Sequence, residues 1–186
     1  LTNPLFAEPP CAPEQADCLR SPSGAGADGF EVSAALLELL EHHQAAIGVP
    51  ARSRSAADGW RAFRDVGCAD CHRPSWTTGE APGRSWLSKQ LIWPYSDLLL
   101  HDMGPGLADD RTEFEASGRE WRTPPLWGIG RTLARHRRAG LLHDGRARTV
   151  EEAVLWHGGE AEGSRRRFEA LKAGERAELL AFVESL

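Results

Sequence analysis

The sequence predicts an all-α domain, and three observations point that way. Apolar residues recur at helical spacing in several segments, and residues suited to a helix N-terminus open two of them. No stretch of useful length alternates apolar with polar residues, so no strand is expected. No segment repeats at a fixed period, which excludes a solenoid or a propeller.

Residues 1–30 are rich in Pro, Gly, Ser and Ala, with Gly24, Gly26 and Gly29 close together, and read as an extended arm. Ser33 is placed to cap a helix reaching about Gly48, with Leu36, Leu37, Leu39 and Leu40 as its apolar stripe, and Pro50 stops it. A second helix is expected from Ser55 to about Val66, delivering the chain to Cys68. The division is therefore an N-terminal arm and helix, residues 1–54, and a main domain, residues 55–186. From Arg73 to Arg122 the chain is broken at Pro74, Pro82, Pro94 and Pro105. Loops of that length are unusual in a compact domain unless something other than regular structure organises them. Thr149 caps a short helix from Val150 to about His157, with Glu151 and Glu152 in the first turn, where the helix dipole favours acids. Two more helices, Ser164 to Leu171 and Gly174 to Leu186, follow.

Composition narrows the function classes. The 41% hydrophobic content suits a globular domain, and no apolar run approaches the ~20 residues of a membrane-spanning helix. The longest candidates, such as Leu98–Leu100, read as short core segments. A net charge of −5 argues against a nucleic-acid partner.

The chemistry lies in Cys68-Ala69-Asp70-Cys71-His72. Two thiols three positions apart can reach the two vinyl groups of one haem, and the adjacent histidine then sits beneath the iron. A redox dithiol does not need His72, and a zinc site would have to recruit the distant Cys11 and Cys18. The motif makes the fold a class I cytochrome c-like haem domain with long loops and an N-terminal extension. It also accounts for the loops, because the flat apolar faces of a buried haem replace much of an ordinary core. Gly59 and Phe63 share a helix face just before the motif. Leu179, Phe182 and Leu186 offer the matching face of the last helix.

An electron-transfer haem normally keeps two axial ligands. The single methionine, Met103, lies in the loop His101-Asp102-Met103-Gly104-Pro105, where a distal ligand belongs. A thioether there raises the reduction potential relative to a second histidine. His101 is the competing ligand. Covalent haem attachment takes place outside the cytoplasm, so the expected location is periplasmic or otherwise extracytoplasmic. Cys11 and Cys18 would form a disulfide in that compartment. The opening Leu1-Thr2-Asn3-Pro4, without an initiator Met or a signal pattern, reads as the middle of a longer protein. Arg131, Arg135, Arg137, Arg138, Arg146 and Arg148 crowd one stretch, either as a solvated loop or as a docking or haem-propionate surface.

Three runs carry a family resemblance: Trp93-Pro94-Tyr95-Ser96-Asp97-Leu98-Leu99-Leu100-His101-Asp102-Met103-Gly104, Trp121-Arg122-Thr123-Pro124-Pro125-Leu126-Trp127, and Leu142-His143-Asp144-Gly145-Arg146-Ala147-Arg148-Thr149-Val150-Glu151-Glu152. Together with the haem motif, they resemble the C-terminal haem domain of the di-haem oxidoreductases related to bacterial cytochrome c peroxidase, a group that includes thiol-oxidoreductase members. Such proteins carry two haem domains, and this chain has one Cys-x-x-Cys-His. The resemblance assigns the peroxide-reacting haem to a missing N-terminal domain, and the His/Met electron-entry haem to His72 and Met103. It also implies a calcium ion (Ca2+) between the domains, near Arg122-Thr123-Pro124-Pro125. His143-Asp144-Gly145 reads either as a reach toward a haem propionate or as a turn before a helix cap.

The resulting expectation is one covalent haem c in an extracytoplasmic relay. A small redox donor protein supplies electrons, and the N-terminal haem domain of the parent protein receives them. The alternative is a peroxidase-type enzyme with a displaceable distal ligand. A third reading is a docking module in which haem is structural.

Overall fold

The structure, a computed structural model, describes residues 2–7, 11–52, 59–136 and 140–186. The chain falls into two compact units, Leu1–Gly48 and Val49–Leu186.

In the first unit, α1 (Ala16–Arg20) carries Cys18, which is disulfide-bonded to Cys11. The arm is not simply extended. The Glu31 carboxylate accepts the Thr2 N–H at 2.8 Å, and Val32 N–H donates to the Thr2 carbonyl at 3.0 Å. Helix α2 (Ala34–Ala46) starts where expected, because Ser33 Oγ accepts the Leu36 N–H at 3.2 Å. Its expected apolar stripe is only partly covered: Leu36, Leu39 and Leu40 are exposed.

The second unit is built on two helices from its opposite ends, α3 (Gly59–Asp65) and α8 (Ala173–Glu184). The expected pairing of these faces is what the structure contains. A Cβ on Gly59 would lie 2.0 Å from the Glu178 carbonyl oxygen and 2.6 Å from Phe182 Cβ, so only glycine permits this approach. Phe63 and Phe182 meet at 5.3 Å between ring centroids, and Tyr95 closes an aromatic triangle with them. Val66, Val150, Phe168, Leu179, Val183 and Leu186 complete this core. The start of the expected second helix, Ser55–Asp58, lies outside the described residues, as do Arg137 and Arg138.

After α4 (Cys68–Cys71) come α5 (Ile129–Arg135), α6 (Val150–Leu155) and α7 (Glu162–Glu169). Thr149 caps α6 as expected, accepting the Glu152 N–H at 3.0 Å. Helix α8 opens with the Glu175 carboxylate folded back onto the Lys172 N–H at 3.1 Å.

The all-α expectation is wrong. Eight helices occur among the described residues together with two two-stranded antiparallel sheets, so the domain is mixed α and β. Strand β1 (Trp76–Thr77) pairs with β2 (Leu91–Ile92), and β3 (Leu100–Asp102) pairs with β4 (Glu120–Arg122). The cause is backbone demand: residues 73–122 have too many prolines for helices, yet their N–H and C=O groups still need partners. Ladders of two or three residues meet part of that need and are too short to show alternation in sequence. Leu98, Leu99 and Leu100 are not core either; each is more than half exposed. No helix among the described residues is long and apolar enough to cross a membrane.

Candidate haem site

The two cysteines stand on one helical turn. Gly67, at φ +89°, takes the left-handed conformation that lets the chain leave α3 and start α4 at once. Its N-terminal side is held by Arg167, whose Nε donates to the Val66 carbonyl at 2.9 Å. Within α4 the His72 N–H bonds the Cys68 carbonyl at 2.9 Å, so Cys68 and Cys71 share a face and His72 follows directly. Both cysteines are free thiols and partly buried. Burial pushes the Cys68 thiol up to about 12, and raises that of Cys71 with help from the nearby Asp97 and Glu160 charges.

His72 is held from the side by the segment after Pro94. Backbone bonds run from Ser96 N to the Arg73 carbonyl at 2.9 Å and from Asp97 N to the Cys71 carbonyl at 2.8 Å. Tyr95, just before these two residues, adopts φ +54°, a costly conformation for a non-glycine residue. That turn presents its carbonyl oxygen to His72 Nδ1 at 3.0 Å. A carbonyl can only accept, so Nδ1 carries the proton and Nε2 of the neutral ring keeps its lone pair. Burial lowers the His72 pKa to about 4, against which the Tyr95 bond works only partly, so the ring is neutral near pH 7.

Met103 follows β3, half-buried, with its N–H on the Arg119 carbonyl at 2.9 Å. Its hairpin is anchored beside Cys71: candidate ligand atoms of Cys71, Asp97 and His101 all lie within 4.8 Å of one another. His101 itself is fully engaged. Its Nε2 meets Asp97 Oδ2 at 2.8 Å and its Nδ1 meets Glu160 Oε2 at 2.9 Å. Both nitrogens must donate to make both bonds, which requires the imidazolium. Burial alone would lower the His101 pKa, but the Glu160 and Asp97 carboxylates override it and raise it. A ring in that state has no lone pair to offer a metal.

The other sequence candidates have ordinary partners. Thr123 is buried; its carbonyl accepts the Ser96 Oγ–H at 2.7 Å and its N–H donates to Leu99 O at 2.9 Å. The segment that the resemblance links to calcium is thus tied into the chain by its own bonds. His143 stacks on Trp121 at 3.5 Å between centroids and 8° between planes. Arg146 bonds Asp144 at 2.6 Å and lies over the Trp156 ring at 4.7 Å. A cleft of about 530 Å³ lined by Leu91, Trp93, Tyr95 and Trp127, among others, receives nothing from Cys68, Cys71, His72 or Met103.

Tyr95, Asp97 and Glu160 were not expected from sequence as parts of the site. Tyr95 acts through a backbone carbonyl, which leaves no trace in residue type. Glu160 reaches His101 from 59 positions away.

No curated protein and no solved structure matches the chain. A family model described as "Di-haem oxidoreductase, putative peroxidase" matches residues 16–186, and the chain belongs to that di-haem oxidoreductase family.

Proposed function

We propose that this chain is a haem c domain that relays single electrons within a di-haem oxidoreductase, in which His72 and Met103 would hold the iron. The family name establishes haem and redox chemistry as its business, and a di-haem family implies a second haem domain in the parent protein. The observation that carries the finer reading is the state of His72. It directly follows two thiols on one helical turn, it is neutral, and Nδ1–H on the Tyr95 carbonyl leaves Nε2 open. Metal-bound histidines use this arrangement, in which the second bond fixes tautomer and ring direction.

The residues present fit the group. Cys68 and Cys71 have the spacing for two thioether bonds, His72 offers nitrogen, and Met103 offers sulfur. When bound, the haem supplies a one-electron ferric/ferrous couple. The chain's own part is to orient His72 through Tyr95 and to keep the site dry with Phe63, whose ring centroid lies 6.4 Å from that of His72. The chain also withholds His101 by locking it between carboxylates. The Cys11–Cys18 disulfide supports an extracytoplasmic location, and the electron source is a small redox protein.

The test is chemical. Acid–acetone should leave the haem on the protein, mass spectrometry should find one haem per chain, and the double Cys68→Ser/Cys71→Ser variant should lose it. Colour that extracts cleanly would overturn the proposal. Sustained reduction of hydrogen peroxide by the unmodified chain with a reduced small-protein donor would instead favour the peroxidase reading.

A further inference from the structure

Two imidazoles in this unit share one bonding arrangement. His72 Nδ1 lies 3.0 Å from the Tyr95 carbonyl oxygen, and His157 Nδ1 lies 2.7 Å from that of Ala153. In both, the carbonyl fixes the proton on Nδ1, and the neutral ring keeps a lone pair on Nε2. No described residue bonds either Nε2. His101 differs, because both of its nitrogens are occupied by carboxylates.

The chain brings His157 to the Met103 loop. Helix α6 ends at Leu155, and the following turn closes with His157 N–H on the Val154 carbonyl at 3.1 Å. The next two residues are glycines pressed against the loop backbone. A Cβ on Gly158 would lie 2.9 Å from the Met103 carbonyl oxygen, and one on Gly159 would lie 2.1 Å from that of Asp102 and 2.6 Å from Gly104 N. Gly159 also takes φ +52°. Only glycines allow the two backbones this contact, and it puts His157 one residue from the segment carrying Met103. His157 is also close enough to His72 that charge on it makes protonating His72 harder. Burial lowers the pKa of His157, so it needs no deprotonation before binding a metal.

We propose that His157 is a further distal-ligand residue of the haem site, binding the iron through Nε2 in place of the Met103 thioether. This rests on the reading of Cys68, Cys71 and His72 as the haem attachment. The exchange is a ligand substitution: one iron–sulfur bond breaks and one iron–nitrogen bond forms. No electron moves, and the proton stays on Nδ1 with the Ala153 carbonyl. Imidazole in place of thioether lowers the reduction potential, so the two residues define a higher- and a lower-potential form of one site. A histidine that merely capped α6 would explain the Ala153 bond, but it would not need Gly158, its neighbour, pressed against the Met103 carbonyl.

The experiment uses the haem-loaded protein as wild type, Met103→Ala, Met103→Ala/His157→Leu and Met103→Ala/His157→Gln, the last guarding against a leucine variant that does not fold. Low-temperature electron paramagnetic resonance, near-infrared absorption and carbon monoxide binding are read. Met103→Ala should lose the sulfur-to-iron band yet stay low-spin with a two-imidazole signal, show a lowered potential and bind carbon monoxide weakly. Both double variants should turn high-spin and bind carbon monoxide freely. A high-spin Met103→Ala protein, or double variants that stay low-spin, would overturn the proposal. Wild-type protein whose haem extracts into acid–acetone would overturn the attachment reading first, before any distal variant is made.

Discussion

Glu160 Oε2 lies 2.9 Å from His101 Nδ1, so a residue beyond α6 governs the charge of a histidine on β3. With Asp97 on the other nitrogen, the ring is an imidazolium held by two acids. Its folded pKa is raised above the unfolded value. The stabilisation is therefore fully present below the unfolded histidine pKa and is lost as pH rises through the folded one. In Glu160→Gln one acid is gone, and the His101 titration midpoint, followed by proton nuclear magnetic resonance, should fall. An unchanged midpoint would show that Glu160 does not hold the charge.

His72 gives the opposite dependence in the haem-free chain. Its pKa drops from 6.5 to about 4 on folding. Below about 6.5 the unfolded chain takes up a proton that the folded chain refuses, so stability falls as pH drops from there toward 4. The loss amounts to about 3 kcal/mol at most. Urea midpoints measured at neutral pH and near pH 4.5 should separate more for the haem-free wild type than for His72→Gln. Equal separations would mean His72 is not buried neutral.

Gly59 and Phe63 set the α3–α8 contact. Gly59→Ala places a methyl against the Glu178 backbone and should cost about 3 kcal/mol by forcing the helices apart. Phe63, 1% exposed, should cost about 3–5 kcal/mol as alanine. Urea denaturation of the haem-free protein measures both. A tolerated Gly59→Ala would contradict the close approach.

The Cys11–Cys18 bond closes a short loop around the start of α1, and a chain-entropy model credits such loops with roughly 2–3 kcal/mol. Non-reducing peptide mapping should find the two cysteines joined. After reduction, amide exchange across Ala16–Arg20 should accelerate. Two freely alkylated thiols in the untreated protein would exclude the bond.

What could be read in advance follows the range of the interaction. The haem motif is five consecutive residues, and the α3–α8 face follows helical spacing at each end, so both were legible in the sequence. Ser33 and Thr149 were legible as caps because capping is decided within four residues. The sheets were not. Trp76–Thr77 and Leu100–Asp102 are too short to alternate, and their partners lie well downstream, beyond prolines that suggested loops. The site shows the same division. Met103 and His101 stand two positions apart in sequence, and only the structure shows that His101 is already engaged by the carboxylates of Asp97 and Glu160. His157 could be read only as the end of a helix until its glycine neighbours were seen against the Met103 loop.

The α3–α8 core also sets a timetable. Phe63 lies near the start of its unit and Phe182 near the end, yet their rings meet at 5.3 Å. Contacts between such distant segments form late and slowly, because a long loop must close before any packing is gained. Cys68 is partly buried and packs against this same core. Until α8 docks, Cys68 therefore lacks the surface it packs on, and the turn from Cys68 to His72 stays an open peptide. The last helix of the unit thus decides when that turn acquires its fixed surroundings.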